Sequence, residues 1–472
     1  MSDRTGFLDG VYDFTLNNLR TLKARWRGFA GDRAIVPTLL SDSDADRLRR
    51  QMQDCLEARG GEVSARGRAA ALGESYLSLP PEGRARFLHL LANEFDIDRV
   101  AVASACHRIA HARTDDEKFR IERALRQALE PPRLKLLTQF NALPNGVKFL
   151  VDMRAELMQL ARHDEALAAL DGDLRHLLAG WFDEGFLEVK RITWDSPAAL
   201  LEKLMAYEAV HEIRSWSDLK NRLEADRRCF AYFHPRMPEE PLIFVEVALV
   251  KGMADNIQSL LDETAPVGDP LTADTAIYYS ISNCQRGLSG ISFGAFLIKR
   301  VLDLLQAELP HLTRHATLSP MPGFCAWLEQ RSLEEGDDIL TPVERRAIDL
   351  LPDAPTEHVL TSLLARSDWY EDTEVAQALK APLLRLAARY LVNEKTARGR
   401  ALDGVAHFHL SNGARLERIN WLGDLSPKGL QQSAGLMINY LYRVQDIEEN
   451  HEAYTGEGRV TASQSVLKLL KG

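Results

Sequence analysis

No two of the five cysteines (Cys55, Cys106, Cys229, Cys284 and Cys325) stand in a Cys-x-x-Cys pair. Neither a zinc site nor a disulfide framework is signalled, and a reducing cytoplasm is the expected compartment. Positive charge is not in excess: the formal net charge is −10 over 472 residues. That excludes nucleic acid as a main partner, because phosphate contacts need a basic surface. No stretch approaches the roughly 18 unbroken apolar residues that would span a bilayer, so no membrane partner is expected. The opening, Met1-Ser-Asp-Arg4, leads into polar sequence without the apolar core of a secretory signal. The closing Leu469-Leu-Lys-Gly472 is not a Ser-Lys-Leu peroxisomal address. There is no exact repeat or low-complexity tract.

What is present has the balance of an ordinary globular protein, with 45% hydrophobic and 27% charged residues. The length suits two domains. Residues 1–184 read as an all-helical bundle with a structural or oligomerisation role. Leu48, Met52, Cys55 and Leu56 share a helical face, ended by Gly60-Gly61. Phe87, Leu88, Leu91 and Phe95 repeat the pattern after Pro80-Pro81. Phe119, Leu125 and Leu129 repeat it before Pro131-Pro132, and helices are expected near 146–162 and 164–181. Residues 185–472 read as an α+β domain. Strands are expected at 186–194, 228–234, 242–250 and 276–282, from their aromatic and β-branched content. The 242–250 run is almost unbroken in hydrophobicity, as befits a central strand buried on both faces. A helix over 291–309 follows, then a helical insertion over 326–395. Asn412-Gly413 signals a hairpin between strands, and a last helix is expected over 428–444.

Three segments carry chemistry. Gln285-Arg-Gly-Leu-Ser-Gly-Ile-Ser-Phe-Gly294 is a glycine-rich loop between the strand ending at Ser282 and a helix opening at Ile291. Gly287, Gly290 and Gly294 permit close backbone approach, and the first helical turn favours an anion such as a phosphate. The plainer alternative is a glycine-rich turn with no ligand. The order strand, glycine loop, helix resembles the acyl-CoA-binding element of the GNAT acetyltransferase superfamily, although the glycine spacing departs from its usual pattern. Ser319 lies between Leu318 and the stiff Pro320-Met-Pro322 turn. It is either a catalytic hydroxyl or a cap for the helix near Phe324. His407 and His409, two apart on an expected strand, would share one face. Together a hydroxyl and an imidazole are enough to move a proton. His-x-His also suits a metal, but no third ligand stands at metal-site spacing, so no metal is expected. His234 and Arg236 join two strands, and either bind a carboxylate or phosphate or simply shape the turn. Tyr440 and Tyr442 either hydrogen-bond a substrate or pack a helix.

Several longer strings resemble the malonyl-CoA decarboxylase family. They are Phe233-His-Pro-Arg-Met-Pro-x-x-Pro-Leu-Ile-Phe-Val-Glu-Val-Ala-Leu249, Ala276-Ile-Tyr-Tyr-Ser-Ile-Ser282, Phe296-Leu-Ile-Lys-Arg-Val301, Leu318-Ser-Pro-Met-Pro-Gly-Phe324, Phe408-His-Leu-x-Asn-Gly-Ala414 and Arg418-Ile-Asn-Trp421. They run in order from about Phe186 to Tyr442. The resemblance implies a helical N-terminal domain, a GNAT-like catalytic domain and a homotetramer. It implies conversion of malonyl-CoA to acetyl-CoA and carbon dioxide with no metal, biotin or other cofactor. It carries the family's catalytic Ser and His to Ser319 and His409. It carries the acyl-CoA loop to Ser289, Gly290, Ile291, Ser292, Phe293, Gly294 and Ala295. Ser292 stands where some members have an acidic residue, so no carboxylate role is carried there. The rival readings are an acyl-CoA-dependent N-acyltransferase on the same scaffold and a non-catalytic malonyl-CoA sensor.

Overall fold

The computed structural model describes Trp26 and residues 42–57, 61–291 and 297–471. The described residues fall into two compact units, one within residues 1–188, 233–242 and 283–293, the other within residues 189–232, 243–282 and 294–472.

The first unit is built mainly of helices whose starts are written in the sequence. Asp98 caps Arg99–His111, Thr114 caps Asp115–Ala128 and Asp164 caps Glu165–Trp181, each side chain accepting a free N–H of the first turn. Pro81 and Pro132 open Pro81–Glu94 and Pro132–Phe140, where a missing N–H costs nothing. An aromatic cluster of Trp26, Tyr76, Phe87, Phe140 and Phe149 fills the interior. Trp26 is accommodated because Gly73 has no side chain: a Cβ there would lie 2.0 Å from the indole. The Trp26 Nε1–H donates to Pro144 O at 2.8 Å. The face of Phe119 and Leu129 differs from expectation. Phe119 is 69% exposed, and Ile121 is the buried residue of that helix.

The second unit carries most of a seven-stranded sheet of order β1-β2-β3-β4-β5-β7-β6. The strands are β1 Glu188–Ile192, β2 Arg227–His234, β3 Met237–Val250, β4 Thr275–Asn283, β5 Arg314–Thr317, β6 Arg415–Asn420 and β7 Met437–Tyr442. β3 is central and buried from Pro241 through Leu249, as its hydrophobic run requires. Pro235-Arg236 makes the tight β2–β3 connection. β4 and β5 pair in parallel, with the helix Leu297–Glu308 between them in sequence, and β5 pairs antiparallel with β7. Alternation along the strands sorts side chains onto two faces. Ala316 and Leu318 of the β5 segment and Met437 and Leu441 of β7 enter a core with Ala248, Ile277 and Tyr279. Thr317, Ser319, Tyr440 and Tyr442 are left for the opposite face.

Two expectations are corrected. Residues 405–413 are not a strand and hairpin but the helix Gly404–Ser411, capped by Asp403. Asn412-Gly413 ends it: Gly413 takes φ +79, its N–H bonds Leu410 O, and Ala414 N–H bonds His409 O. The same left-handed glycine that makes a hairpin turn also makes a helix stop, so the dipeptide alone does not choose. Residues 428–444 are not one helix. The helix Pro427–Ser433 ends at Ala434 and Gly435, both at positive φ, and the β-branched and aromatic run that follows is β7.

Candidate active site

Two backbone elements hold Ser319. Its N–H donates to Ile438 O at 2.8 Å, and its carbonyl accepts from Ile438 N–H at 2.8 Å, a bridge that pins the segment after β5 to β7. Pro320 and Pro322 then fix the turn into the helix Phe324–Glu335, whose cap position is Gly323. Ser319 is therefore not the helix cap. His409 reaches the same place from the last turn of the Gly404–Ser411 helix.

The two side chains meet. Ser319 Oγ lies 2.9 Å from His409 Nε2, and His409 Nδ1 lies 2.9 Å from the Tyr442 hydroxyl. Ser319 Oγ also bonds Thr317 Oγ1 at 2.9 Å, and Thr317 Oγ1 accepts from Tyr440 N–H. Tyr440 lies against the imidazole, ring centroids 4.6 Å apart and planes 25° apart. Ser319 is 5% exposed and His409 2%. Burial without a counter-ion pushes the imidazole down to about 3, so it is neutral at ordinary pH. A neutral imidazole donates from one nitrogen and accepts at the other. Either Nε2–H donates to Ser319 while Tyr442 donates to Nδ1, or every proton in the chain runs the other way. The hydrogen-bonded chain Thr317–Ser319–His409–Tyr442 therefore has two proton arrangements, neither of which carries a buried charge. Arg314, His315, Glu417, Tyr442 and Arg443 are among the residues that line a cavity of about 650 Å³, although Tyr442 itself is only 2% exposed.

Apart from Tyr440, which stacks on the imidazole, the other expected site residues have partners outside the dyad. His407 is two residues from His409 on a helix, so it faces away, and its Nδ1 bonds the Tyr454 hydroxyl at 2.8 Å. Tyr440 is a strand residue rather than a helical one, and its buried hydroxyl has no hydrogen-bond partner. Both ring nitrogens of His234 are engaged: Nδ1 accepts from Arg236 N–H at 3.1 Å, so Nε2–H donates to Trp181 O at 3.0 Å. Arg236 donates to both the carbonyl and the side chain of Asn141. Each has a protein partner that accounts for its placement at the turn.

In the glycine loop, β4 ends at Asn283 and a short turn spans Arg286–Leu288. Gly287 is needed for packing, since a Cβ would lie 1.7 Å from Val151 O. Buried Arg154 donates to Gly287 O at 2.6 Å and Ser289 O at 3.0 Å, and to Asp171 Oδ1 at 2.8 Å. Ser289 and Gly290 are exposed, with Gly290 at φ +75. Ile291 is buried and does not open a helix; the helix is described from Leu297. Ser292, Phe293, Gly294 and Ala295 lie outside the described residues. Among the described residues no group of three or more His, Cys, Asp or Glu is placed to hold a metal. None of the described helices is long and apolar enough to cross a membrane. Thr317 and Asp403 are site neighbours that sequence reading missed. Thr317-x-Ser319 at strand spacing and Asp403 before Gly404 were the available signals.

Residues 185–472 match the model of the malonyl-CoA decarboxylase C-terminal domain, and residues 95–182 that of the N-terminal domain. The chain belongs to the malonyl-CoA decarboxylase family. Among curated family members, it is 39% identical over 402 residues to the mitochondrial malonyl-CoA decarboxylase of Anser anser anser, covering 82% of this chain and 80% of the relative. It is 38% identical to that of Rattus norvegicus, covering 82% of each. A crystal structure of the malonyl-CoA decarboxylase from Rhodopseudomonas palustris superposes with a TM-score of 0.82 at 40% identity, over 90% of this chain and 99% of that one. The Agrobacterium vitis family member gives 0.79 at 42% identity, over the same shares.

Proposed function

We propose that this chain decarboxylates malonyl-CoA to acetyl-CoA and carbon dioxide, with Ser319 and His409 as the proton-handling pair. The observation that carries the reading is their 2.9 Å contact in a buried place. As the C–C bond breaks, its electron pair moves onto the carbon beside the thioester and spreads to the thioester oxygen as an enolate. The carboxylate leaves as carbon dioxide, and the carbon takes up one proton. A dry site favours loss of the carboxylate charge, and hydrogen-bond donors aimed at the thioester oxygen lower the enolate's energy. His409 is the proton donor or the group that orients the carboxylate, with Ser319 its hydrogen-bonded partner. Neutral His409 suits this role, because the imidazole itself brings no positive charge that would stabilise the departing carboxylate in place. The solvent reloads the pair, so each turnover consumes one proton.

The same reading places the acyl-CoA carrier at residues 289–295, in a GNAT-like domain of residues 185–472. The parallel β4–β5 pair joined through loop and helix supports it. Residues 1–184 serve structure and assembly into a homotetramer, and the protein works in the cytoplasm without metal or organic cofactor. Purified protein treated with a chelator, given malonyl-CoA and no amine acceptor, should yield acetyl-CoA and carbon dioxide together by mass. Unchanged malonyl-CoA with a folded, ligand-binding protein would overturn the reading in favour of a transferase or a sensor. Sedimentation gives the assembly: a mass other than four chains removes the tetramer.

A further inference from the structure

The Ser319 turn and the His409 helix approach each other at a second place, and one carboxylate joins them there. Asp403 Oδ1 accepts from Val405 N–H and Ala406 N–H, both at 2.9 Å, and so caps the His409 helix. Its Oδ2 accepts from Gly323 N–H at 3.4 Å, four residues after Ser319, and from the Tyr390 hydroxyl at 3.3 Å. The Gly323 contact is long, but it closes a ring. From Ser319 the path runs through the two prolines to Gly323, across Asp403, down the eight-residue helix to His409, and back across the 2.9 Å contact. Asp403 is buried at 2% exposure, and its four donors are all neutral. A plain helix cap needs neither that burial nor a second set of donors, because exposed Asp98 caps its helix with one oxygen alone. Gly323 is adapted to the same point: a Cβ there would lie 2.3 Å from the Tyr390 hydroxyl and 3.6 Å from Asp403 Oδ2. Tyr390 is packed in turn against Phe324 and Trp327, which belong to the helix that follows the Ser319 turn.

We infer that Asp403 is a positioning residue for decarboxylation, a two-oxygen bracket that sets the distance between Ser319 and His409. The inference rests on the catalytic reading of that pair. A proton passes efficiently only when its donor and acceptor are held within hydrogen-bond reach. A displacement near 1 Å costs up to roughly 100-fold.

An amide has one acceptor oxygen where the carboxylate has two. Asp403→Asn therefore keeps either the cap or the Gly323 arm and loses the other, while Asn remains a good cap residue. Asp403→Ser keeps a cap and is too short for Gly323. For both variants kcat on malonyl-CoA should fall roughly 10- to 100-fold, with KM nearly unchanged and the circular dichroism spectrum preserved. In a Ser319→Ala background, Asp403→Asn should cost nothing further, because there is no pair left to align. Wild-type kcat in either folded variant overturns the bracket. So does a loss that multiplies with that of Ser319→Ala, or one that appears in KM instead. His409→Ala is the control for the underlying reading. If it turns over like wild type, the pair itself is not catalytic. If it is slow and Asp403→Asn is fast, only the bracket falls. Should both Asp403 variants fail to fold, Tyr390→Phe removes one donor from Oδ2 at little structural cost. It should lower kcat in the same direction, and an unchanged kcat there overturns the inference.

Discussion

His409 has one nitrogen on Ser319 and the other on Tyr442, so Tyr442 decides how readily the imidazole changes tautomer. Replacing Tyr442 with Phe keeps the ring edge and removes the hydroxyl. Nδ1 is then left buried with no partner, which favours whichever tautomer tolerates that loss and loosens the ring. Turnover should fall roughly 10- to 100-fold, with substrate KM little affected, whereas His409→Ala should lose roughly 10²–10⁴-fold. Steady-state kinetics on the two variants checks both. A Tyr442→Phe enzyme as slow as His409→Ala would mean that the tyrosine itself handles the proton. Tyr440 is a different case, since it stacks on the imidazole while its own hydroxyl is unpaired. Removing that hydroxyl in Tyr440→Phe keeps the stacking and should leave kcat within a few-fold of wild type. Ser319 and His409 were singled out by the family resemblance that Ser319-Pro-Met-Pro322 and Phe408-His409 carry, but their contact was not legible there. Nor were the bonds of Tyr442 to His409 and of Tyr440 N–H to Thr317. Their roles arise from pairing of β5 with β7, more than a hundred residues apart in sequence, and local pattern carries no register between distant strands.

At the scale of elements, the His409 helix is held at both ends, by Asp403 at its start and Gly413 at its close. Gly413 has two reasons to be glycine: φ is +79, and a Cβ would lie 2.2 Å from Ile447 O. Gly413→Ala should therefore destabilise by at least about 2 kcal/mol and lower kcat, because Ala414 N–H bonds the carbonyl of His409 itself. Thermal unfolding and kinetics together check this. A stable, fully active Gly413→Ala would show that the helix end can move without disturbing the dyad. This helix was also where sequence reading went furthest wrong. Val405-Ala-His-Phe-His-Leu410 alternates like a strand and ends in Asn-Gly, yet Asp403-Gly404 before it is a helix start. Eight residues are too few for a 3.6-residue period to declare itself against a period of two. Where elements are long or uniformly buried the sequence was a better guide. β2 and β4 lie within one residue of their expected limits, β3 ends as expected but begins five residues early at Met237, and the helices Gly146–Leu160 and Glu165–Trp181 lie within two residues of theirs. β7 was hidden for the opposite reason. It directly follows the short helix Pro427–Ser433, and Met437 to Tyr442 satisfies either period.

For the molecule as a whole, the buried titratable groups pull the pH dependence of stability in opposite directions. Burial holds His211 at about 3, His315 at about 4 and His409 at about 3. The nearby Arg222 and Lys428 charges push His211 the same way. In the unfolded chain each titrates near 6.5. Between those values the unfolded chain binds protons that the fold refuses, so these groups weaken the fold as pH drops below about 6.5. Glu246 behaves oppositely. It is fully buried on β3, and it shares one guanidinium, Arg222, with the buried carboxylate of Asp218. Burial pushes its carboxyl up to about 8, against the attraction of Arg222. The fold then holds a proton that the unfolded chain gives up near 4.5. That contribution is full at low pH and is lost as pH rises through 8. Each such group bends the stability curve by about 1.4 kcal/mol per pH unit inside its own window. Substitution separates the two arms, because a Gln in either place titrates nowhere. Denaturant midpoints of His315→Gln should fall less steeply than wild type between pH 6.5 and 4.5. Those of Glu246→Gln should fall less steeply between pH 5 and 8, whatever constant offset each substitution brings. Curves parallel to wild type for Glu246→Gln would mean that Glu246 is ionised in the fold throughout. Arg222 would then be balancing two buried carboxylates at once.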